Sequence, residues 1–248
     1  MTSVYYIMQS NGSVITDLSI QPSEYSNNVY HNKIVFFPND KTGSTDIELW
    51  DGFSSNIHIR YHFSSIDIDN LYTFTVFRDP IERFVSLYNF NVFGNNENDA
   101  HFLWEMTMDE FIHLIEENKN GLLNMDILRE KSQELALFFD NDDLQNFMNN
   151  KFSTQQSKFL PFDKTTFFLV LYEREQNRNV VEFLKTKFDL DVIPHDSSNS
   201  KVNVSKQIFD VTDLTEYHRQ FINEYYKDDI DLFDKIKNEK WILYNDVK

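Results

Sequence analysis

The sequence predicts an α/β protein built on a central, mainly parallel β-sheet flanked by helices. A short apolar run followed by a turn and a helical pattern occurs three times. Lys33–Phe37 leads into a helix through Trp50, Tyr72–Phe77 into Pro80–Phe90, and Thr165–Leu171 into Asn177–Phe188. The runs are near-continuously apolar rather than alternating, as in strands buried on both faces. Repeated strand–helix units give parallel sheets, because a crossover helix returns the chain to the edge where the next parallel strand starts. The chain has 248 residues, 24 of them phenylalanine and 16% aromatic, enough for one sizeable core. No composition shift or repeat marks a boundary, so a single domain over 1–248 is expected.

Taken in order, two apolar runs (from Val4 and from Val14) flank Asn11-Gly12, a turn pair that favours a hairpin. This hairpin, within residues 1–30, precedes the first sheet strand and reads as a decoration of the core. After Lys33–Phe37, Ile57–Tyr61 is a short second strand and Tyr72–Phe77 a third. Pro80 stands in the first turn of the next helix, where its missing N–H does no harm. The polar run Gly94–Asp99 marks a loop, and Met108–Glu117 and Leu122–Phe139 show helical periodicity. Asn141–Lys158, polar and asparagine-rich, is expected to be a mobile loop over a binding site. Beyond the third strand–helix unit lie a loop (Pro194–Val204) and two helices (Thr215–Tyr226 and Asp228–Lys237).

Composition excludes several functions. There is no cysteine, which rules out disulfides, thiolate metal sites and thiol redox chemistry. No apolar stretch approaches the roughly 20 residues of a membrane span, and the first residues lack a signal-peptide pattern; a cytoplasmic protein with no membrane partner is expected. With 23 Lys+Arg against 40 Asp+Glu, the net charge is −17. Such a surface repels nucleic acid and polyanions and favours a neutral or cationic small-molecule partner, although a generally acidic proteome explains the charge equally well. Oligomeric state is not legible.

Two segments carry chemistry. In the first, Lys41-Thr42-Gly43-Ser44-Thr45 follows a buried strand and opens a helix. Backbone N–H groups there can wrap phosphate oxygens, Gly43 permits close approach and Lys41 supplies a point charge. The order is not that of a Walker A loop, because lysine comes first. A capped helix after a turn is the bland alternative for this segment alone. In the second, a strand ends in Arg78-Asp79-Pro80 and a helix carries Arg83 and Ser86. The N–H groups and positive dipole end of that helix favour negative charge, and Arg78 adds a planar fork that fits phosphate oxygens.

Together the two segments resemble the paired phosphate-binding elements of sulfotransferases that use 3′-phosphoadenosine-5′-phosphosulfate (PAPS). More narrowly they are similar to the carbohydrate branch that includes the heparan-sulfate 2-O enzymes. The likeness spans residues 33–90 and, more diffusely, 165–235. It implies a P-loop-like three-layer sandwich and a soluble enzyme of that chemistry. It implies that Lys41, Thr42, Gly43, Ser44 and Thr45 hold the 5′-phosphosulfate, while Arg78 and Ser86 hold the 3′-phosphate. It places Tyr172 on the adenine side, and Lys201, with Lys206, in a loop closing over the 3′-phosphate. Lys41 would stabilise charge on the leaving oxygens, and no metal is required. A solvated loop explains Lys201 and Lys206 as simply.

The acceptor needs a base. His58 lies on the strand between the two motifs, where 2-O-type relatives place a histidine. Here Ile57 precedes it where they have glycine, and the gap from Thr45 is shorter. Glu48 and Asp51 are carboxylate alternatives whose plain reading is a solvated helix face, and His62 is a weaker one. His101, His113 and His218 show no partner spacing and read as structural. Three functions stay open: a PAPS-dependent sulfotransferase with a small-molecule or simple glycan acceptor, an inactive nucleotide-binding module, and a different phosphoryl-transfer enzyme.

Overall fold

A computed structural model describes residues 6–8, 14–16, 34–39, 42, 44–53, 58–59, 72–93, 106–122, 126, 155–159, 166–172, 178–194, 208–239 and 242–245. Lys41, Gly43, His62, His101, Lys201, Lys206, the Asn11-Gly12 pair and nearly all of the helix expected over Leu122–Phe139 lie outside them. Contacts divide the chain into two units, Met1–Lys33 and Ile34–Lys248. In the first, β1 (Tyr6–Met8) and β2 (Val14–Thr16) pair antiparallel with Ile7 opposite Ile15.

The second unit holds a five-stranded sheet. Its strands are β3 (Ile34–Phe36), β4 (His58–Ile59), β5 (Tyr72–Phe77), β6 (Thr166–Leu171) and β7 (Ile242–Asn245), in the order β4-β3-β5-β6-β7. The first four in that order run parallel, and β7 closes one edge antiparallel to β6. The helices are α1 (Ser44–Glu48), α2 (Pro80–Phe93), α3 (Met108–Lys119), α4 (Arg178–Phe188), α5 (Glu216–Tyr225) and α6 (Lys227–Asn238). The mainly parallel sheet flanked by helices is thus present. Strand β7 was not foreseen, because four residues after a charged helix give no period of their own to read.

Register explains how the sheet is buried. Phe36, Phe74 and Phe168 stand side by side on β3, β5 and β6. They share one face, which packs against Ile47 and Trp50 around α1 and Val180, Phe183 and Leu184 of α4. The period of two puts Phe77, Leu169 and Leu171 on the other face, against Ile236, Leu232 and Phe233 of α6. Burying each such side chain stabilises by about 1.5–3 kcal/mol. A third cluster joins α2, α3 and α5 through Phe84, Phe111 and Phe221. Tyr72 alone in β5 is exposed, contrary to a strand buried throughout.

Helix ends follow local chemistry. Thr107 and Glu110 form a capping box at the start of α3, and Thr215 and His218 form another at α5. Helix α3 stops at Gly121, whose φ of +66° suits a glycine; Gly121 and Leu122 donate back to Asn118 and Glu117. Leu122 is therefore the exposed end of a helix cap and not the start of the next helix.

Tyr226, between α5 and α6, is buried against Phe84, and among the described residues its hydroxyl has no hydrogen-bond partner. Burial pushes its pKa well above the ordinary value of 10.0. The neutral form is favoured in the fold, so this stability is intact below the unfolded pKa near 10 and falls as pH rises past it. Tyr226→Phe keeps the ring and removes an unpartnered polar atom. Its melting temperature is expected to equal or exceed the parent's, with a gain of about 0–1 kcal/mol that widens above pH ~10. A loss beyond about 1 kcal/mol would show that the hydroxyl is bonded after all.

Candidate active site

Connectivity points to the site before any side chain does. The chain runs from β3 outward to β4, then back past β3 to β5, and onward to β6. Direction reverses between β3 and β5. In open parallel sheets, ligand crevices form outside the carboxyl ends of the strands at such a reversal. Both predicted anion-binding segments leave from these two strands.

The exit from β5 is well fixed. Tyr172 continues the ladder by donating its N–H to Phe77 O at 2.8 Å, which sets the ends of β5 and β6 beside each other. The Arg78 guanidinium lies 5.9 Å from the centroid of the Tyr172 ring. Arg78 and Tyr172, expected at the 3′-phosphate and on the adenine side, are thus brought together. The guanidinium also donates from Nε and Nη2 to Glu82 Oε2, at 3.3 and 3.2 Å. The Glu82 side chain is 44% exposed and that of Arg78 14%. Because the glutamate is this open to solvent, the pair contributes about 0–1 kcal/mol, so an anion of higher charge can displace it.

The helix N-terminus itself departs from the sequence expectation. Asp79 Oδ1 accepts from Ile81 N at 2.9 Å and from Glu82 N at 3.3 Å. The aspartate just before Pro80 has used the N–H groups expected to greet a phosphate, because an intramolecular carboxylate at the cap position competes at no loss of translational freedom. Those two N–H groups are therefore committed to Asp79. Arg83 is buried within α2 near Tyr226, and Ser86 is half-buried further along the same helix.

Of the first segment, the stems are described. Phe37 N donates to Phe74 O at 2.9 Å, Thr75 Oγ1 donates to Phe37 O, and buried Thr42 donates its hydroxyl to Asn39 O at 2.9 Å. Ser44 and Thr45 open α1, which ends at Glu48, two residues short of Trp50.

The candidate bases fall in different places. His58 pairs with Val35 in β4, the strand flanking β3 on the side away from β5. Glu48 is half-buried at the end of α1. Asp51 is exposed, and its backbone bridges Ile193 in both directions at 3.1 and 3.0 Å. Among the structural histidines, His218 accepts from Thr215 N at Nδ1 and meets Asp109 at Nε2, 2.7 Å away.

One site-shaping residue went unforeseen. Gln156 is fully buried at the start of a 3-10 turn and hydrogen-bonds Arg78, and Asp229 of α6 in turn holds that turn. The end of the polar stretch Asn141–Lys158 is therefore an anchored turn and not a mobile loop. Asp229 had a legible signal: Tyr226, Asp229, Phe233 and Ile236 recur at helical spacing, placing a carboxylate on an apolar stripe. Gln156 had none.

The sequence profile of the sulfotransferase family matches residues 51–235, about three-quarters of the chain. The chain belongs to the sulfotransferase family. The matched range takes in His58, Arg78, Ser86, Tyr172 and Lys201, and it begins after the Lys41–Thr45 loop and Glu48. No curated protein and no solved structure matches this sulfotransferase significantly. Among its described residues, no helix is long and apolar enough to cross a membrane and no cluster of three His, Asp or Glu is placed to hold a metal ion.

Proposed function

We propose that this sulfotransferase moves the sulfuryl group of PAPS to a hydroxyl or amine of a small-molecule or simple glycan acceptor. The fold is read as a P-loop-like three-layer sandwich acting in the cytoplasm as one domain, with neither nucleic acid nor membrane as partner. The observation carrying the reading is Arg78: an arginine within the span matched to the family, emerging from β5 at the reversal of strand order, against Tyr172.

In this reading Arg78 and Ser86 take the 3′-phosphate, Tyr172 faces the adenine, and Lys201 adds charge to the 3′ side. Lys41, Thr42, Gly43, Ser44 and Thr45 hold the 5′-phosphosulfate. The acceptor oxygen or nitrogen attacks sulfur in line as the bond from sulfur to the phosphate oxygen breaks. Its proton passes to His58, and adenosine-3′,5′-bisphosphate leaves with the bonding pair. Lys41 stabilises charge on the leaving oxygen. Such loose transfer relies on positioning and electrostatics and gives no step to a metal. The net charge of −17 favours a neutral or cationic acceptor.

Calorimetry with adenosine-3′,5′-bisphosphate and, separately, ATP tests the reading. Tight binding of the bisphosphate alone is expected; preference for ATP would make this a phosphoryl-transfer enzyme. Ile57, in place of the glycine before His58, favours a second reading, a nucleotide-binding module without catalysis. Bisphosphate binding with no sulfuryl transfer to any of a panel of hydroxyl and amine acceptors would select it.

A further inference from the structure

We propose that Gln156 and Asp229 are positioning residues for Arg78, aligning its guanidinium for the 3′-phosphate; this rests on the sulfuryl-transfer reading above. Arg78 stands just past the end of β5, and the Gln156 side chain meets its backbone there. Its Oε1 accepts from Arg78 N at 3.1 Å, and its Nε2 donates to Arg78 O at 2.9 Å. Reversing the amide would set donor against donor and acceptor against acceptor, so the pairing fixes its orientation. Both groups of one residue are clamped by one side chain, which sets the direction in which the Arg78 Cα–Cβ bond points.

The clamp is itself held. Asp229 accepts from Gln156 N at 2.7 Å through Oδ2 and from Ser157 N at 2.8 Å through Oδ1, one backbone donor per oxygen. Gln156 and Asp229 are each 0% exposed. A buried carboxylate and a buried amide are costly unless satisfied, and these two are spent on one target, the backbone of a cofactor-binding arginine. The guanidinium is reached through a long side chain, so a small tilt at Cα moves it far; misplacement by about 1 Å can cost about 10²-fold at a reacting site. The chain from α6 through the 3-10 turn to the β5 exit joins residues 73 and 78 positions apart.

The test compares adenosine-3′,5′-bisphosphate with adenosine-5′-monophosphate, which lacks the 3′-phosphate, by calorimetry on the full-length chain. Gln156→Ala is expected to lower the preference for the bisphosphate about tenfold, the equivalent of one well-made hydrogen bond to a charged group, and to leave monophosphate affinity unchanged. Asp229→Asn, which sets an amide donor against a backbone N–H, is expected to act in the same direction. Should it fail to fold, Gln156→Ala decides alone, since truncating one side chain leaves the Asp229 contacts with the turn backbone intact. Equal loss of both affinities, or an unchanged preference, overturns the proposal. Arg78→Ala separates this failure from that of the parent reading: if it too keeps the parental preference, Arg78 is not at the 3′-phosphate and both fall.

Discussion

Arg78→Ala is expected to weaken adenosine-3′,5′-bisphosphate binding by about 2–4 kcal/mol, roughly 30- to 1,000-fold. The side chain is only 14% exposed and lies at the carboxyl end of β5, so its bonds to a phosphate form away from competing water. The magnitude reflects a dianionic group left without its partner, more than the net worth of the pair. Stability should change little. Glu82, the partner of Arg78, is 44% exposed, and Asp79, not Arg78, caps α2. Adenosine-5′-monophosphate affinity should hold, because the lost contact belongs to the 3′ side. A variant that binds the bisphosphate as the parent does would remove the second motif from the site.

His58→Ala is expected to lower turnover by about 10²–10⁴-fold, the usual worth of a positioned general base, while leaving bisphosphate binding intact. The histidine must be neutral to accept the acceptor's proton, so the parent's rate should fall as pH drops through the imidazole pKa, and the variant should lack that limb. A hydroxyl acceptor is needed for this profile, because an amine brings its own titration. Glu48→Gln and Asp51→Asn should cost several-fold at most, by the same reading. Asp51 is exposed and its backbone is committed to the bridge with Ile193. Near-parental turnover in His58→Ala, with collapse in either carboxylate variant, would transfer the role to that carboxylate.

The local half of this protein was legible in its residues. Apolar runs, turn residues and helical spacing are properties of neighbours in the chain, so the strand–helix units around β3, β5 and β6 could be read directly, as could the hairpin. The arginine and the tyrosine at the ends of β5 and β6 were also legible as residues. Their meeting was decided by the parallel register that aligns Phe77 with Leu171.

Long-range pairing was not legible, because hydrogen bonds between distant residues leave no period. Only the tertiary structure could bring Gln156 and Asp229 to Arg78, or add β7 to the sheet edge. It also decided who meets the α2 N-terminus. The sequence set aspartate before proline and determined that a helix begins there; the folded geometry turned that carboxylate onto the N–H groups of Ile81 and Glu82. Local sequence determines which elements form, since propensity and capping act within a few residues. Which side chains converge on a ligand depends on how those elements cross, and that is fixed only when the whole core packs.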